Sequence, residues 1–363
     1  MARGVLMNSI MRRSVFALLA LLSATAGMAQ SSGFLLGVNY SEWTPANVTE
    51  IATDSSGALY VLSACATASS CVTKLSADGK TIVWQNSLGF VAYLMAVDPN
   101  GGVYLIPFPQ PSDTSVYVAK LGGNGSGIAW KTSIGSGVTP ASVTVGSLEA
   151  DSQGRAYVAG SYDSMMNVME VVRLNAAGSV VDYAVQMAGA PIALAVDGSG
   201  AAFVLGYTTS PQTTFLARLA PDGSAGFRSV IQGGGRLAVD SNGNAVVLTY
   251  PADGSALLQR FDSTGTVTLS TNVPWAPFGL ALDGAGNAYV IGSSYRLYPV
   301  KKTLVTCGAD WLSVYAPDGS LLQTTYVPGA EAASAPVTGP NSTVFLVSGA
   351  DSTFVPTQAG PFS

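Results

Sequence analysis

A thirteen-residue pattern recurs along this chain, and a chain that repeats itself every few tens of residues folds as an array of like units. The copies read IATDSSGALYVLS from Ile51, MAVDPNGGVYLIP from Met95, LEADSQGRAYVAG from Leu148, LAVDGSGAAFVLG from Leu194, LAVDSNGNAVVLT from Leu237 and LALDGAGNAYVIG from Leu280. A degenerate seventh, PVTGPNSTVFLVS from Pro336, carries Gly339 where the others carry Asp. Counted from that Asp or Gly, successive copies lie 44, 53, 46, 43, 43 and 56 residues apart.

Each unit reads as four strands. The first ends at the turn Asp, the second follows D-x-x-G, and a variable connection leads to a third, such as Phe215 to Leu219. A second turn, at Asp78-Gly79, Asn124-Gly125, Ala177-Gly178, Asp222-Gly223, Thr264-Gly265 and Asp318-Gly319, precedes the fourth. The turn Asp has a mechanical role: its carboxylate accepts backbone N–H groups while the Gly three residues later takes the positive φ of a tight hairpin. Four antiparallel strands per repeat predict an all-β fold, a β-propeller of seven blades. A solenoid of stacked hairpins is the other architecture such repeats allow.

Two places before the turn residue stand Ala52, Ala96, Glu149, Ala195, Ala238, Ala281 and Val337. Small residues there let blades approach closely around the axis, and Glu149 is the one charge among them. The ring is expected to close with strands from both ends of the chain, Phe34 to Tyr40 completing the seventh blade. The alternative is six full blades and a partial one, with Phe354 to Thr357 as a missing third strand or the sequence a truncation of something longer.

The first segment stands outside this pattern. Arg12 and Arg13 precede an apolar run from Val15 to Leu22, and Gly27, Met28 and Ala29 offer the small residues a signal peptidase accepts. Residues 1–29 are expected to be a signal peptide and 30–363 a single propeller domain. The apolar run is too short to span a bilayer, which takes roughly 20 residues, and no longer run follows. The expected location is therefore secreted, periplasmic or cell surface. Cys65 and Cys71 flank a short polar connection and suit a disulfide in such a compartment, while Cys307 has no evident partner.

Removing Arg3, Arg12 and Arg13 with the leader leaves 13 basic against 21 acidic residues, a net of −8. Nucleic acid, which needs a basic footprint, is an unsuitable partner. The chain contains no His, so Ser-His-Asp and Cys-His nucleophile systems and His-ligated zinc are excluded in their usual forms. No cofactor is expected. D-x-N-G at Asp98 to Gly101 and Asp240 to Gly243 hints at a calcium loop but fits no EF-hand.

The pattern A-x-D-x-x-G-x-x-[YF]-V-x-G, as in ALAVDGSGAAFVLG, with [KR]-L-x-x-x-G as in VTKLSADG, VVRLNAAG and LARLAPDG, resembles the bacterial SBBP-type β-propeller repeat. The tail STFVPTQAGPF is similar to that family's loop between second and third strands. The resemblance implies an exported or cell-surface propeller, often one module of a longer protein, and carries no catalytic residues across.

Departures from the repeat are the places to look for function. Glu149 invites comparison with gluconolactonase-like propellers, which hold a divalent ion at the central channel, against the plainer reading of an ion pair with Arg155 or Arg173. The insertion from Ser294 to Asp310 contains Tyr295, Arg296, Tyr298, Lys301 and Lys302, residue types favoured at binding hot spots. Three functions are compatible: a monomeric, non-catalytic scaffold binding a protein or glycan, a structural spacer in a larger surface protein, and a metal-dependent lactonase-like hydrolase.

Overall fold

In the computed structural model, the described residues are 16–17, 48–65, 69–79, 81–109, 115–134, 144–161, 167–250, 255–273, 277–293, 310–327, 330–332, 336–346 and 348–350. Six four-stranded antiparallel sheets follow one another along the chain, each with its strands in sequence order. Blade 1 comprises Val48–Thr53, Leu59–Ala64, Ser70–Leu75 and Ile82–Ser87, and blade 2 comprises Ala92–Val97, Val103–Pro107, Val116–Leu121 and Ile128–Ile134. The inner strands of blades 3 to 6 are Thr144–Ala150, Ala190–Val196, Gly234–Val239 and Pro277–Leu282. Each inner strand packs beside the next, and Val337–Thr338 packs against the inner strands of both blade 6 and blade 1. The molecule is a β-propeller.

The seventh unit corrects the expectation of seven four-stranded blades. Among the described residues it is a two-stranded wedge, Val337–Thr338 paired with Val344–Phe345, which gives six full blades plus a partial one. Where the other repeats place an Asp turn, Gly339 leads into a 3-10 turn at Pro340–Ser342. The wedge nevertheless joins the neighbours. Phe345 is fully buried against Ile51, Leu59, Val61 and Leu75 of blade 1. Thr338 donates to the Leu282 carbonyl of blade 6 at 2.5 Å and accepts, on its own carbonyl, the Thr53 hydroxyl of blade 1 at 2.7 Å. Beyond the wedge, Ser348–Ala350 pairs with Ala330–Ala332 on one side and Phe16–Ala17 on the other. The strands expected at Phe34 to Tyr40 and Phe354 to Thr357 lie outside the described residues.

Burial follows from blades facing one another. The second strands are buried on both sides, as Leu59–Ala64 and Val103–Pro107 show. Fourth strands form the rim and alternate between exposed and half-buried positions. Between blades 2 and 3, Ala96, Tyr104 and Ile106 pack on Val145, Leu148, Ala156 and Val158. The small residue before the turn thus faces the following blade, and the Leu beside it faces the preceding one.

The turns supply the second level of cohesion. Asp151 Oδ1 accepts the N–H groups of Gln153 and Arg155 at 2.9 and 3.0 Å, and Asp54, Asp98, Asp197, Asp240 and Asp283 do the same in their own turns. Asp151 Oδ2 accepts the Tyr157 hydroxyl at 2.8 Å, and that hydroxyl also lies 3.1 Å from the Gly200 carbonyl of the next blade's turn. Tyr104 repeats the arrangement between Asp98 and Gly154, as Tyr60 does between Asp54 and Gly101. The basic residue of the third strand lies directly opposite the tyrosine, Lys74 by Tyr60 and Lys120 by Tyr104, and each ammonium sits over its ring.

Glycines at the second turns answer to a neighbour. Gly178 has φ +67°, and a Cβ there would lie 2.3 Å from the Trp130 indole of the preceding blade; Gly125 stands to Trp84 in the same way. We expect Tyr104→Phe, which deletes one buried hydroxyl and its bonds, to lower the unfolding free energy by about 1–2 kcal/mol. Gly178→Ala should cost more, because it combines an unfavourable φ with a clash against the Trp130 indole of the preceding blade. Denaturant unfolding of the two variants checks the order.

Candidate functional site

Strand polarity gives the disc two unlike faces. The Asp turns and the second turns share one face, here called the turn face. The connections between second and third strands, and those from one blade to the next, share the other. This connection face carries the disulfide between Cys65 and Cys71, whose Cα atoms are 5.4 Å apart.

The inner strands enter from the connection face, and five of the six are irregular at the same level. Pairing slips between Val48 and Glu50, Ala92 and Leu94, Val145 and Ser147, Pro191 and Ala193, and Pro277 and Gly279. Such bulges re-aim side chains at a rim. At that level blade 1 supplies Glu50, blade 3 Ser147 and blade 5 Arg236.

Glu50 and Glu149 are the unusual pair. They stand on the inner strands of blades 1 and 3, with the inner strand of blade 2 between them. Glu50 Oε2 accepts the Met95 N–H of blade 2 at 2.5 Å. Burial nevertheless pushes its carboxyl up to about 7, the Met95 bond opposing the shift. Glu149 rises further, to about 8, first because it is hemmed in by protein and second because the Glu50 charge repels its own. Part of its surface remains accessible.

Neither arginine considered for Glu149 pairs with it. Arg155 Nε donates to Asp151 Oδ2 at 2.6 Å. Arg173 Nε donates to Asp182 Oδ2 at 2.9 Å and its Nη1 to the Pro221 carbonyl. Arg236 Nε, at the Glu50 level, is directed to the Phe278 carbonyl at 2.7 Å. Among the described residues no ion pair reaches either glutamate, and no group of three or more His, Cys, Asp and Glu is placed to hold a metal ion.

An aromatic pair stands on blade 2, toward the connection face from the Glu50 level. Tyr93, one residue before the Glu50 level on blade 2, hydrogen-bonds the backbone of Val145 on the Glu149 strand, and burial pushes its hydroxyl up to about 12. Phe108, 57% exposed at the end of the second strand, meets the Tyr93 ring edge-on with centroids 5.7 Å apart.

Glu149 was legible in the sequence as the charge among small residues, whereas Glu50, Tyr93 and Phe108 were not. Glu50 had one available signal, its place two residues before Ala52 on the same strand face. Tyr295, Arg296, Tyr298, Lys301, Lys302 and Cys307 lie outside the described residues. The calcium-loop motifs are occupied mechanically: Asp98 and Asp240 accept their own turn amides.

No protein-family model matches the chain, and no curated protein sequence does. Solved structures do. The WD40 β-propeller domain of Doa1 is 13% identical with TM-score 0.55, covering 92% of this chain and 94% of its own. A protein from Lactobacillus plantarum is 17% identical with TM-score 0.55, covering 86% and 97%. The Dos1 propeller is 9% identical with TM-score 0.55, covering 84% and 79%. At these identities the likeness is one of fold.

The carboxylate pair has a consequence for stability. Both groups have folded-state pKa values raised above their usual 4.5, so the folded protein binds more protons than the unfolded chain between about pH 4.5 and 8, and stability falls as pH rises through that window. Asp54 and Asp283 are lowered, each by hydrogen bonds that outweigh desolvation, and their contribution is lost only as pH falls below 3.8. Scanning calorimetry should therefore show a lower Tm at pH 8.5 than at pH 5.5, and Glu149→Gln should raise the alkaline value by several degrees.

Proposed function

We propose that this protein is an exported, non-catalytic β-propeller of the SBBP-repeat kind, a monomer that binds a protein or glycan at the channel mouth on its connection face. The observation that carries the reading is the Glu50 and Glu149 pair. A carboxylate removed from water without a partner costs stability, and nothing in blade packing calls for one here: five other blades place Ala, and the wedge Val, where blade 3 places Glu149. Strongly perturbed carboxyls cluster at functional sites. The non-catalytic part rests on the chemistry available, since a chain without His lacks the common proton carrier near neutral pH.

Export is supported by the leader-like segment and by the Cys65–Cys71 disulfide, a bond at home in oxidising compartments. None of the described helices is long and apolar enough to cross a membrane. Cleavage after Ala29 would remove Phe16–Ala17 from the edge of Ser348–Ala350. Intact-mass analysis of protein recovered from the periplasm or medium should give a chain beginning near Gln30; a retained Met1 would defeat the export reading.

Binding is tested by presenting the intact protein to arrays of cell-envelope glycans and surface proteins. Wild type should retain a ligand that Glu50→Gln/Glu149→Gln binds at least tenfold more weakly, about 1.4 kcal/mol. Equal retention by both forms, or none by either, would leave the spacer function in its place.

A further inference from the structure

We propose that the seam between blades 4 and 5 binds one neutral hydroxyl group, that of a water molecule, held by Asp197, Arg218 and the Gly243 carbonyl in the place that a tyrosine hydroxyl takes in the first three seams.

Three observations converge there. First, Asp197 is only 6% exposed. Its Oδ1 accepts the Ser199 amide and hydroxyl and the Ala201 amide, but no side chain among the described residues donates to its Oδ2. Each of the other five turn aspartates receives a side-chain donor on that oxygen, from Tyr60, Tyr104, Tyr157, Asn244 and Asn287 among others. Second, blade 4 has Phe203 at the tyrosine position. The bond that Tyr104 makes to the Gly154 carbonyl, and Tyr157 to that of Gly200, is therefore not made to Gly243, whose carbonyl takes no other donor among the described residues. Third, Arg218 lies directly opposite Phe203 and keeps its guanidinium over the ring, 5.6 Å from the centroid. Its Nε is buried without a partner, and it forms no ion pair with Asp197.

The seam has room for an added atom. A Cβ on Gly101 would lie 2.5 Å from the Tyr60 hydroxyl and 3.5 Å from the Lys74 ammonium, and one on Gly154 would lie 3.3 and 3.6 Å from those of Tyr104 and Lys120. On Gly243 the same atom would meet only the Asp197 carboxylate within 4 Å, its Oδ2 at 3.0 Å.

Two acceptors and one donor select an occupant that both gives and takes hydrogen bonds. Water donates to Asp197 Oδ2 and the Gly243 carbonyl and accepts from Arg218 Nε, and about three bonds is what an internal water makes. An ammonium group has no lone pair for Nε, and the guanidinium repels it as it would a metal ion. An anion is repelled by Asp197.

A high-resolution crystal structure of the intact protein, together with water–protein nuclear Overhauser measurements in solution, tests this. The map should show an oxygen about 2.7–3.2 Å from Asp197 Oδ2, the Gly243 oxygen and Arg218 Nε, and backbone protons of Gly243 and Asn244 should give cross-peaks to a long-lived water. Phe203→Tyr should put its own hydroxyl in that place, abolish the cross-peaks and raise Tm by a few degrees. Arg218 paired directly with Asp197, with no oxygen between them, would overturn the inference, as would a water that Phe203→Tyr leaves in place. A crystallisation polyol in the density, with no water cross-peak in solution, would overturn it in favour of a hydroxyl-bearing ligand. Should the variant fail to fold, the wild-type map and cross-peaks decide by themselves.

Discussion

One interaction recurs at the turn face in blades 1, 2, 3 and 6: a carboxylate that caps its own turn with one oxygen and reaches a tyrosine with the other. The tyrosine's single proton lies within reach of both that carboxylate and the carbonyl of the next blade's turn glycine, as Tyr104 shows with Asp98 and Gly154. Each repeat thereby closes its own hairpin and holds its successor at a fixed spacing. Burying the Asp is tolerable because its lone pairs are filled by amides, a hydroxyl and often a cation, the condition under which buried charge is stable. In blade 4 Phe203 stands at that position, and in blade 5 another side chain serves the contact. Val246 replaces the tyrosine in blade 5, and Arg260 from the adjacent strand donates to Gly286 of blade 6 at 2.5 Å.

Against that economy the channel glutamates stand out. The turn aspartates are saturated, and two of them, Asp54 and Asp283, are held below their usual pKa. Glu50 has one amide, Glu149 has a like charge for company, and both are raised. The two populations of buried carboxyl are distinguished by how far desolvation is offset by hydrogen bonds: it dominates at Glu50 and Glu149 and is overcome at Asp54 and Asp283. A scaffold that satisfies six turn carboxylates so thoroughly has the means to satisfy two more, and this one leaves them facing a channel.

Among the described residues, closure is achieved with less than a full blade. The wedge supplies the parts that touch the axis: a strand pair, a buried Phe345 against blade 1, and Thr338 hydrogen-bonded to both neighbours. Ser342 also donates to Asp283 Oδ2 at 2.7 Å, standing in for the contact that a following turn glycine provides elsewhere. Inner-strand continuity, which sets ring geometry, is thus preserved where the outer strands are not.

The sequence by itself determined the architecture, because repeat period, turn aspartates and turn glycines are local properties with local physical causes. The four-stranded unit, its strand order and the turn role of Asp54, Asp98, Asp151, Asp197, Asp240 and Asp283 could be read from near neighbours, whereas the sequence counted seven such units and only the structure reduces the seventh to a two-stranded wedge. The recurring Lys or Arg of the third strand was visible as a motif, but its purpose was not, since the ring beneath it lies some fourteen residues earlier. The site divided in the same way. Glu149 could be noticed as an exception to its column of small residues, yet its partner Glu50, 99 positions away, and the ring pair of Tyr93 and Phe108 belong to no motif. Only closing the ring brings blades 1, 2 and 3 around one axis, and only then does a carboxylate on one strand acquire a like charge opposite it, because electrostatic environment is a property of distance in space and the chain records only distance in sequence.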